Sequence, residues 1–176
     1  VIDENDHVYI AYQDRDNSKL KFATNKSGSW LSYSPDASSF GNTMHPGYAT
    51  SLAMDEQGQF HIAHYDSDNE DLRYSTGVPN GQWSNSIVDA SGNTGKNPSI
   101  AVDAAGDLHL VYASWSGFDL KYAKLIPSSS SSWQKSSIQT QDMVGDSNSI
   151  VIDKSGMMHV AYSDDSNDVL KYANKS

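Results

Sequence analysis

Three histidines, His61, His109 and His159, stand at one position of a recurring pattern, each six residues after an aspartate: Asp55, Asp103 and Asp153. Imidazoles placed alike raise metal ligation as one reading. Tyr9 holds the same position after Asp3, and the copies lie about fifty residues apart. Each imidazole therefore falls in a separate structural unit, where a hydrogen bond to its neighbouring aspartate or to backbone is the better expectation. The aspartates are read first as turn formers. A second chemistry is offered by three acidic stretches: Asp14-Arg15-Asp16-Asn17, Asp66-Ser67-Asp68-Asn69-Glu70-Asp71 and Asp164-Asp165-Ser166-Asn167-Asp168. Hard cations take several oxygen ligands, so clustered carboxylates suggest Ca²⁺. The second stretch is the richest, and Asp66, Asp68, Glu70 and Asp71 are the candidate ligands of a structural Ca²⁺. The glycine and glutamate of an EF-hand loop are missing, which favours a solvated hairpin turn. No other cofactor is expected.

These residues belong to a fourfold internal repeat. VIDENDHVYIAYQD, LAMDEQGQFHIAHYD, IAVDAAGDLHLVYAS and IVIDKSGMMHVAYSD align on Asp3, Asp55, Asp103 and Asp153, with steps of 52, 48 and 50. Nine residues after each Asp stand Tyr12, His64, Tyr112 and Tyr162, and seventeen after it Leu20, Leu72, Leu120 and Leu170. Each of these leucines opens an L-[KR]-[FY]-[AS] segment, and Trp30, Trp83 and Trp133 follow in three of the copies. D-x-x-G, with Gly58, Gly106 and Gly156, sits between the first two strands, and Asp6 takes the glycine position in the first copy. Glycine there supplies positive φ without steric cost.

Each unit reads as four short strands, and the second strand is apolar on both faces. A single sheet cannot cover both of its own faces, whereas sheets stacked radially around an axis do so. The expected fold is therefore all-β: a β-propeller of four-stranded antiparallel blades, about four in this chain. The expected domain is one repeat array, 1–176, with approximate units 1–45, 46–97, 98–147 and 148–176, the last incomplete. Ile62, Ile100, Leu110, Tyr112, Val160 and Tyr162 are expected between blades, as are the tryptophans.

Departures from the repeat point to function. The third copy replaces its acidic tip by Ser114-Trp115-Ser116-Gly117 with Phe118 following, and the longest fourth-to-first connection carries His45 and Tyr48. Both kinds of connection emerge on one face of a propeller. His45, Tyr48, Trp115 and Phe118 are thus candidate ligand-binding residues on one rim. Aromatic faces stack on sugar C–H groups, and neighbouring carboxylates accept sugar hydroxyls. Packing beneath their own loops is the competing reading.

The repeat, of the form S-I-A-V-D-x-x-G-x-x-H-V-A-Y…L-K-Y-A…W, resembles the BNR or sialidase-like propeller repeat over essentially the whole chain. That resemblance implies the fold. Sialidases use an arginine triad, a Tyr/Glu nucleophile pair and an acid/base Asp, and this chain has only Arg15 and Arg73. Arg73 occupies the repeat position of Lys21, Lys121 and Lys171, which marks it as structural. No catalytic residue carries over. A non-catalytic binding module for neutral carbohydrate is the leading reading. A fragment of a sialidase-like or other glycoside hydrolase, and a structural propeller that binds protein, are the alternatives.

The net charge of −10 repels phosphate backbones and anionic lipid, so neither nucleic acid nor membrane is an expected partner. The chain has no cysteine and opens at Val1 rather than Met. A mature or excised piece, extracellular or at the cell surface, is the expectation. The end blades of an open array would expose apolar faces, so a homodimer or membership of a longer propeller is expected.

Overall fold

The computed structural model describes residues 1–36 and 50–175. The first sheet holds β1 (Tyr9–Asp14), β2 (Lys19–Thr24) and β3 (Leu31–Tyr33). The second holds β4 (Thr50–Met54), β5 (Phe60–Asp66), β6 (Asp71–Gly77) and β7 (Trp83–Asp89). The third holds β8 (Thr94–Val102), β9 (Leu108–Ser114), β10 (Asp119–Leu125) and β11 (Gln134–Gln139). The fourth holds β12 (Val144–Ile152), β13 (Met158–Asp164) and β14 (Val169–Lys175). Every sheet is an antiparallel meander in chain order, and no helix occurs among the described residues. In the first unit the innermost strand is reduced to a single bridge, Ile2 to Val8.

The D-x-x-G turns form as the sequence requires. The aspartate carbonyl accepts the N–H three residues on, and that third residue adopts positive φ at Asp6, Gly58, Gly106 and Gly156. The side-chain Oδ1 of the same aspartate accepts two further N–H groups. For Asp55 these are Gln57 and Gln59, at 3.0 and 2.8 Å, and for Asp103 they are Ala105 and Asp107, both at 2.9 Å. The turn therefore satisfies its own backbone donors with one carboxylate oxygen.

Between blades the packing rule is constant. Leu and the aromatic residue of a third strand meet the second strand of the next blade. Leu20 and Phe22 cluster with Phe60 and Ile62, Leu72 and Tyr74 with Leu108, Leu110 and Tyr112, and Leu120 and Tyr122 with Met158, Val160 and Tyr162. The six aliphatic and tyrosine residues expected between blades, Ile62, Ile100, Leu110, Tyr112, Val160 and Tyr162, are buried. Each large side chain covered in this way contributes roughly 1.5–3 kcal/mol. The outer strands add an aromatic contact backwards, with Trp83 5.3 Å from the Phe22 ring and Trp133 edge-on to Tyr74 at 5.3 Å. Trp30 departs from the expectation: it is 56% exposed, because no preceding blade stands beside it among the described residues. The inner strands are tied by serines, Ser51 Oγ accepting the Ile100 N–H and Ser99 Oγ the Ile150 N–H.

Gly95 and Gly145 lie close against the blade before them. A Cβ at Gly95, where φ is +98°, would lie 2.5–2.8 Å from the Cβ, Cα and N of Leu72, in the blade before it. Gly106 has the same φ sign but nothing within 4 Å of such a Cβ. Gly95→Ala should therefore destabilise by about 3 kcal/mol or more, strain plus clash. Gly106→Ala should cost about 1 kcal/mol, from φ alone. Urea midpoints of the two variants compare them directly, and equal losses would contradict this packing.

Candidate functional site

The histidines are engaged at both ring nitrogens. His61 Nε2 lies 3.1 Å from Asp55 Oδ2 and its Nδ1 2.6 Å from the Tyr74 hydroxyl. His109 makes the same pair of contacts with Asp103 and Tyr122, at 3.1 and 2.8 Å, and His159 with Asp153 and Tyr172, at 3.1 and 2.5 Å. A neutral imidazole fits: Nε2–H donates to the carboxylate and Nδ1 accepts the phenol. Burial keeps that arrangement by pushing the His61 pKa down, against the pull of Asp55, and by raising Tyr74 to about 12. In the first blade the Tyr9 hydroxyl donates to Asp3 Oδ2 at 2.8 Å, and Phe22 stands where the other blades have tyrosine. With no imidazole to receive it, a hydroxyl there would be left without its acceptor. These relays are scaffold, as the spacing suggests.

A second polar set lies where each outer strand ends against the next blade. Asp89, buried at the end of β7, accepts from Tyr112 Oη at 2.9 Å, Lys135 Nζ at 2.9 Å, Lys121 Nζ at 3.3 Å and Ser91 Oγ at 2.8 Å. In the preceding blade Asp36 has the same role, 3.0 Å from Arg73 Nε and 3.6 Å from His64 Nε2. In the following blade it falls to Gln139, which accepts from Tyr162 Oη at 2.9 Å. Arg73 is thus held by an interblade carboxylate. Sequence reading missed Asp36, Asp89 and Gln139 as a set, although each stands six residues after a repeat tryptophan, Trp30, Trp83 and Trp133.

The acidic tips use their carboxylates internally. Asp66 accepts the N–H groups of Asp68 and Asn69 and the Asn69 side-chain amide, and Asp14 and Asp164 bind Asn17 and Asn167 alike. Glu70 Oε1 accepts from Asn93 Nδ2 at 2.9 Å. Burial and the neighbouring Asp66 charge push the Asp71 pKa up. Among the described residues, no group of three or more His, Asp or Glu is arranged to hold a metal, the Asp66, Asp68, Glu70 and Asp71 set included.

The departure from the repeat at the β9–β10 tip is built differently. Ser114 and Gly117 replace the Asp–Asn clamp. The tip keeps the tie that the β13–β14 tip makes to Met143: the Asn93 carbonyl accepts the Trp115 N–H at 2.8 Å and the Asn93 N–H donates to Ser116 Oγ at 2.8 Å. The Tyr65 hydroxyl and Glu70 fix the Asn93 side chain. Bulges in β8 around Thr94 to Ser99 present Lys96 upward. Its Nζ sits 3.3 Å from the Trp115 ring centroid and 5.3 Å from that of Tyr65. Burial pushes the Lys96 pKa down, against the charges of Glu70 and Asp146. The Trp115 Nε1–H donates to Asp146 Oδ1 at 2.8 Å. The indole is thus oriented by a cation on its face and a carboxylate at its edge, yet it remains 43% exposed. Phe118, at φ 57°, is half-exposed on the same tip. His45 and Tyr48 lie outside the described residues. Lys96 and Asp146 were not singled out from sequence, although a signal existed. They follow Gly95 and Gly145, three residues before the inner-strand serines, at the position Tyr48 holds in its own copy. One repeat position thus carries an aromatic residue, a cation and an anion.

No family model and no curated protein matches the chain. Solved structures do. A fucose lectin from Kordia zhangzhouensis, in complex with methyl-fucoside, matches with a TM-score of 0.51 at 17% identity, over 72% of this chain and 92% of its own. The intramolecular trans-sialidase from Ruminococcus gnavus, in complex with oseltamivir carboxylate, matches with a TM-score of 0.63 at 12% identity over 98% of this chain, which spans 41% of that protein. A variant of Aleuria aurantia lectin in complex with alpha-methyl-L-fucoside matches with a TM-score of 0.57 at 11% identity, over 96% of this chain and 57% of its own. The fold is that of a β-propeller. Its blades resemble those of sialidases and fucose lectins, and identities this low carry the fold alone.

Asp89 makes this propeller's interblade set sensitive to acid. Burial raises its pKa, but bonds from Lys135, Ser91 and Tyr112 and the Lys121 charge outweigh that and hold it at about 2. The unfolded carboxyl titrates near ~3.9. Its contribution, on the order of 2 kcal/mol, is complete above that value and is lost as pH falls towards 2. Asp89→Asn should be less stable than wild type at pH 7 by a similar amount. The gap between the two urea midpoints should narrow from pH 5 to pH 2.5. A gap that stays constant would show that the carboxylate's charge contributes nothing.

Proposed function

We propose that the chain is a non-catalytic carbohydrate-binding propeller whose tip rim at Trp115 takes a neutral, hydroxyl-rich glycan. The observation that carries this reading is the indole of Trp115, held by Lys96 and Asp146 and still 43% exposed. A side chain that merely packed under its loop would be covered. A fixed aromatic face suits the C–H face of a pyranose, and Glu70, Asn93 and Asp146 supply acceptors and a donor around it. Pre-orienting the ring lowers the ordering cost of binding. The methyl-fucoside complexes of the lectins that share the fold support the same class of ligand.

An acidic sugar fits less well. The net charge is −10, and of the two arginines Arg73 is committed to Asp36 while Arg15 stands in another tip. An arginine clamp for a substrate carboxylate has no residues to draw on here, so the reading is of binding without turnover.

A glycan array identifies the ligand, with alpha-methyl-fucoside as the first neutral probe in calorimetry. Trp115→Ala should weaken binding by about 1–3 kcal/mol, the scale of one large apolar contact, with an unchanged circular dichroism spectrum. Asp146→Ala frees the indole edge and should weaken it less. Unchanged affinity in Trp115→Ala removes the site. Sialic acid released from a fluorogenic substrate by the pure chain overturns the non-catalytic reading.

A further inference from the structure

The β9–β10 tip departs from its equivalents at a second place. Phe118 stands fifteen residues after its repeat aspartate, the position of Ser18, Glu70 and Asp168, and all four have positive φ. Met143 stands ten residues before its aspartate, the position of Asn93 in the preceding copy. The backbone ties at the two stations match. The Glu70 carbonyl accepts the Thr94 N–H at 3.0 Å, and the Phe118 carbonyl accepts the Val144 N–H at 3.4 Å. The Asn93 and Met143 carbonyls accept the N–H groups of Trp115 and Asp165, both at 2.8 Å.

The side chains differ. Between the second and third blades Asn93 Nδ2 donates to Glu70 Oε1 at 2.9 Å. Between the third and fourth blades the same two positions are apolar, and both stay open, with Phe118 50% and Met143 44% exposed. A bulky side chain at positive φ is an outlier, and apolar surface left in water adds nothing to the fold. The exchange therefore gains the scaffold nothing, whereas a ligand gives it a use. Phe118 shares the four-residue tip between β9 and β10 with Trp115, and Met143 lies three residues before Asp146, which holds the indole N–H. The three side chains together offer roughly 300 Å² of open apolar surface, since a whole aromatic side chain spans about 150–250 Å². The tips of the blades on either side are the acidic stretches from Asp66 to Asp71 and from Asp164 to Asp168. A stable protein interface takes about 800 Å² from each partner. The patch is sized for one small apolar group.

We infer that Phe118 and Met143 form an apolar subsite beside Trp115, which takes the apolar aglycone of a neutral glycoside whose sugar lies on the indole. The inference rests on the sugar reading of Trp115 and adds to it the class of glycoside that is bound.

Calorimetry with matched methyl and phenyl glycosides of fucose and of the neutral hexoses tests it. Wild type should bind the phenyl glycoside of a given sugar about tenfold more tightly than the methyl glycoside, the scale of covering one ring. Phe118→Glu combined with Met143→Asn copies the pair that Glu70 and Asn93 form on the same backbone, so circular dichroism should not change. This double variant should bind both glycosides as wild type binds the methyl one. Phe118→Ser, which copies Ser18, should lose part of the preference and decides the matter should the double variant not fold. A wild type that binds the two glycosides alike overturns the inference and leaves the sugar site standing. A double variant that keeps the preference for phenyl also overturns it, because the indole alone then accounts for the effect. A wild type that binds neither glycoside of any of these sugars ends the sugar reading, and the subsite with it.

Discussion

The structure depends on the contact between a Leu–aromatic pair and the second strand of the following blade. Each blade is a thin sheet with two apolar faces and no internal core, so a blade alone has nothing to bury them against. Leu20, Leu72 and Leu120 are wholly buried because the neighbouring blade supplies the missing side. Gly95 and Gly145 lie against Leu72 and Leu120 where a Cβ would collide. Close approach of backbone to side chain, set by absent methyl groups, is what lets flat sheets stack without voids.

The polar component of the scaffold follows from the same geometry. A carboxylate at the turn serves two ends, with one oxygen closing the turn and the other orienting an imidazole that in turn receives a phenol from the third strand. This ties three strands of a blade together. The first blade shows the logic by substitution: where Tyr9 replaces histidine, Phe22 replaces tyrosine, and no hydroxyl is left unpaired. Between blades Asp36, Asp89 and Gln139 repeat the device with partners from the next sheet. Buried charge is tolerated because every such carboxylate meets several donors.

Against that background the rim at Trp115 differs by subtraction. The β9–β10 tip lacks the Asp–Asn clamp of the other tips and carries an indole, and the bulged start of β8 brings Lys96 against its ring. Repetition builds the scaffold, and the single unlike tip supplies a surface with its own chemistry.

The sequence by itself determined the number of units, their strands and the side chains between them, because a repeat with constant offsets repeats its contacts. The turn role of Asp55 and its equivalents, the local pairing of the histidines, and the burial of Ile62, Leu110 and Val160 were legible for that reason. Asp6 at positive φ was legible too, since turn chemistry is local. What only the tertiary structure decided lies across blades, or between the inner strand and the tip of one blade. Asp89 meets Lys121 and Lys135, Lys96 covers Trp115, and Asp146 holds the indole N–H. Each of these joins residues about twenty to fifty positions apart, through bulges that shift register and re-aim side chains. Offsets within one unit carry no information about such pairs. The exposure of Trp30 belongs to the same class. Its sequence context matches that of Trp83 and Trp133, and only the presence or absence of a neighbouring ring separates a buried tryptophan from an open one.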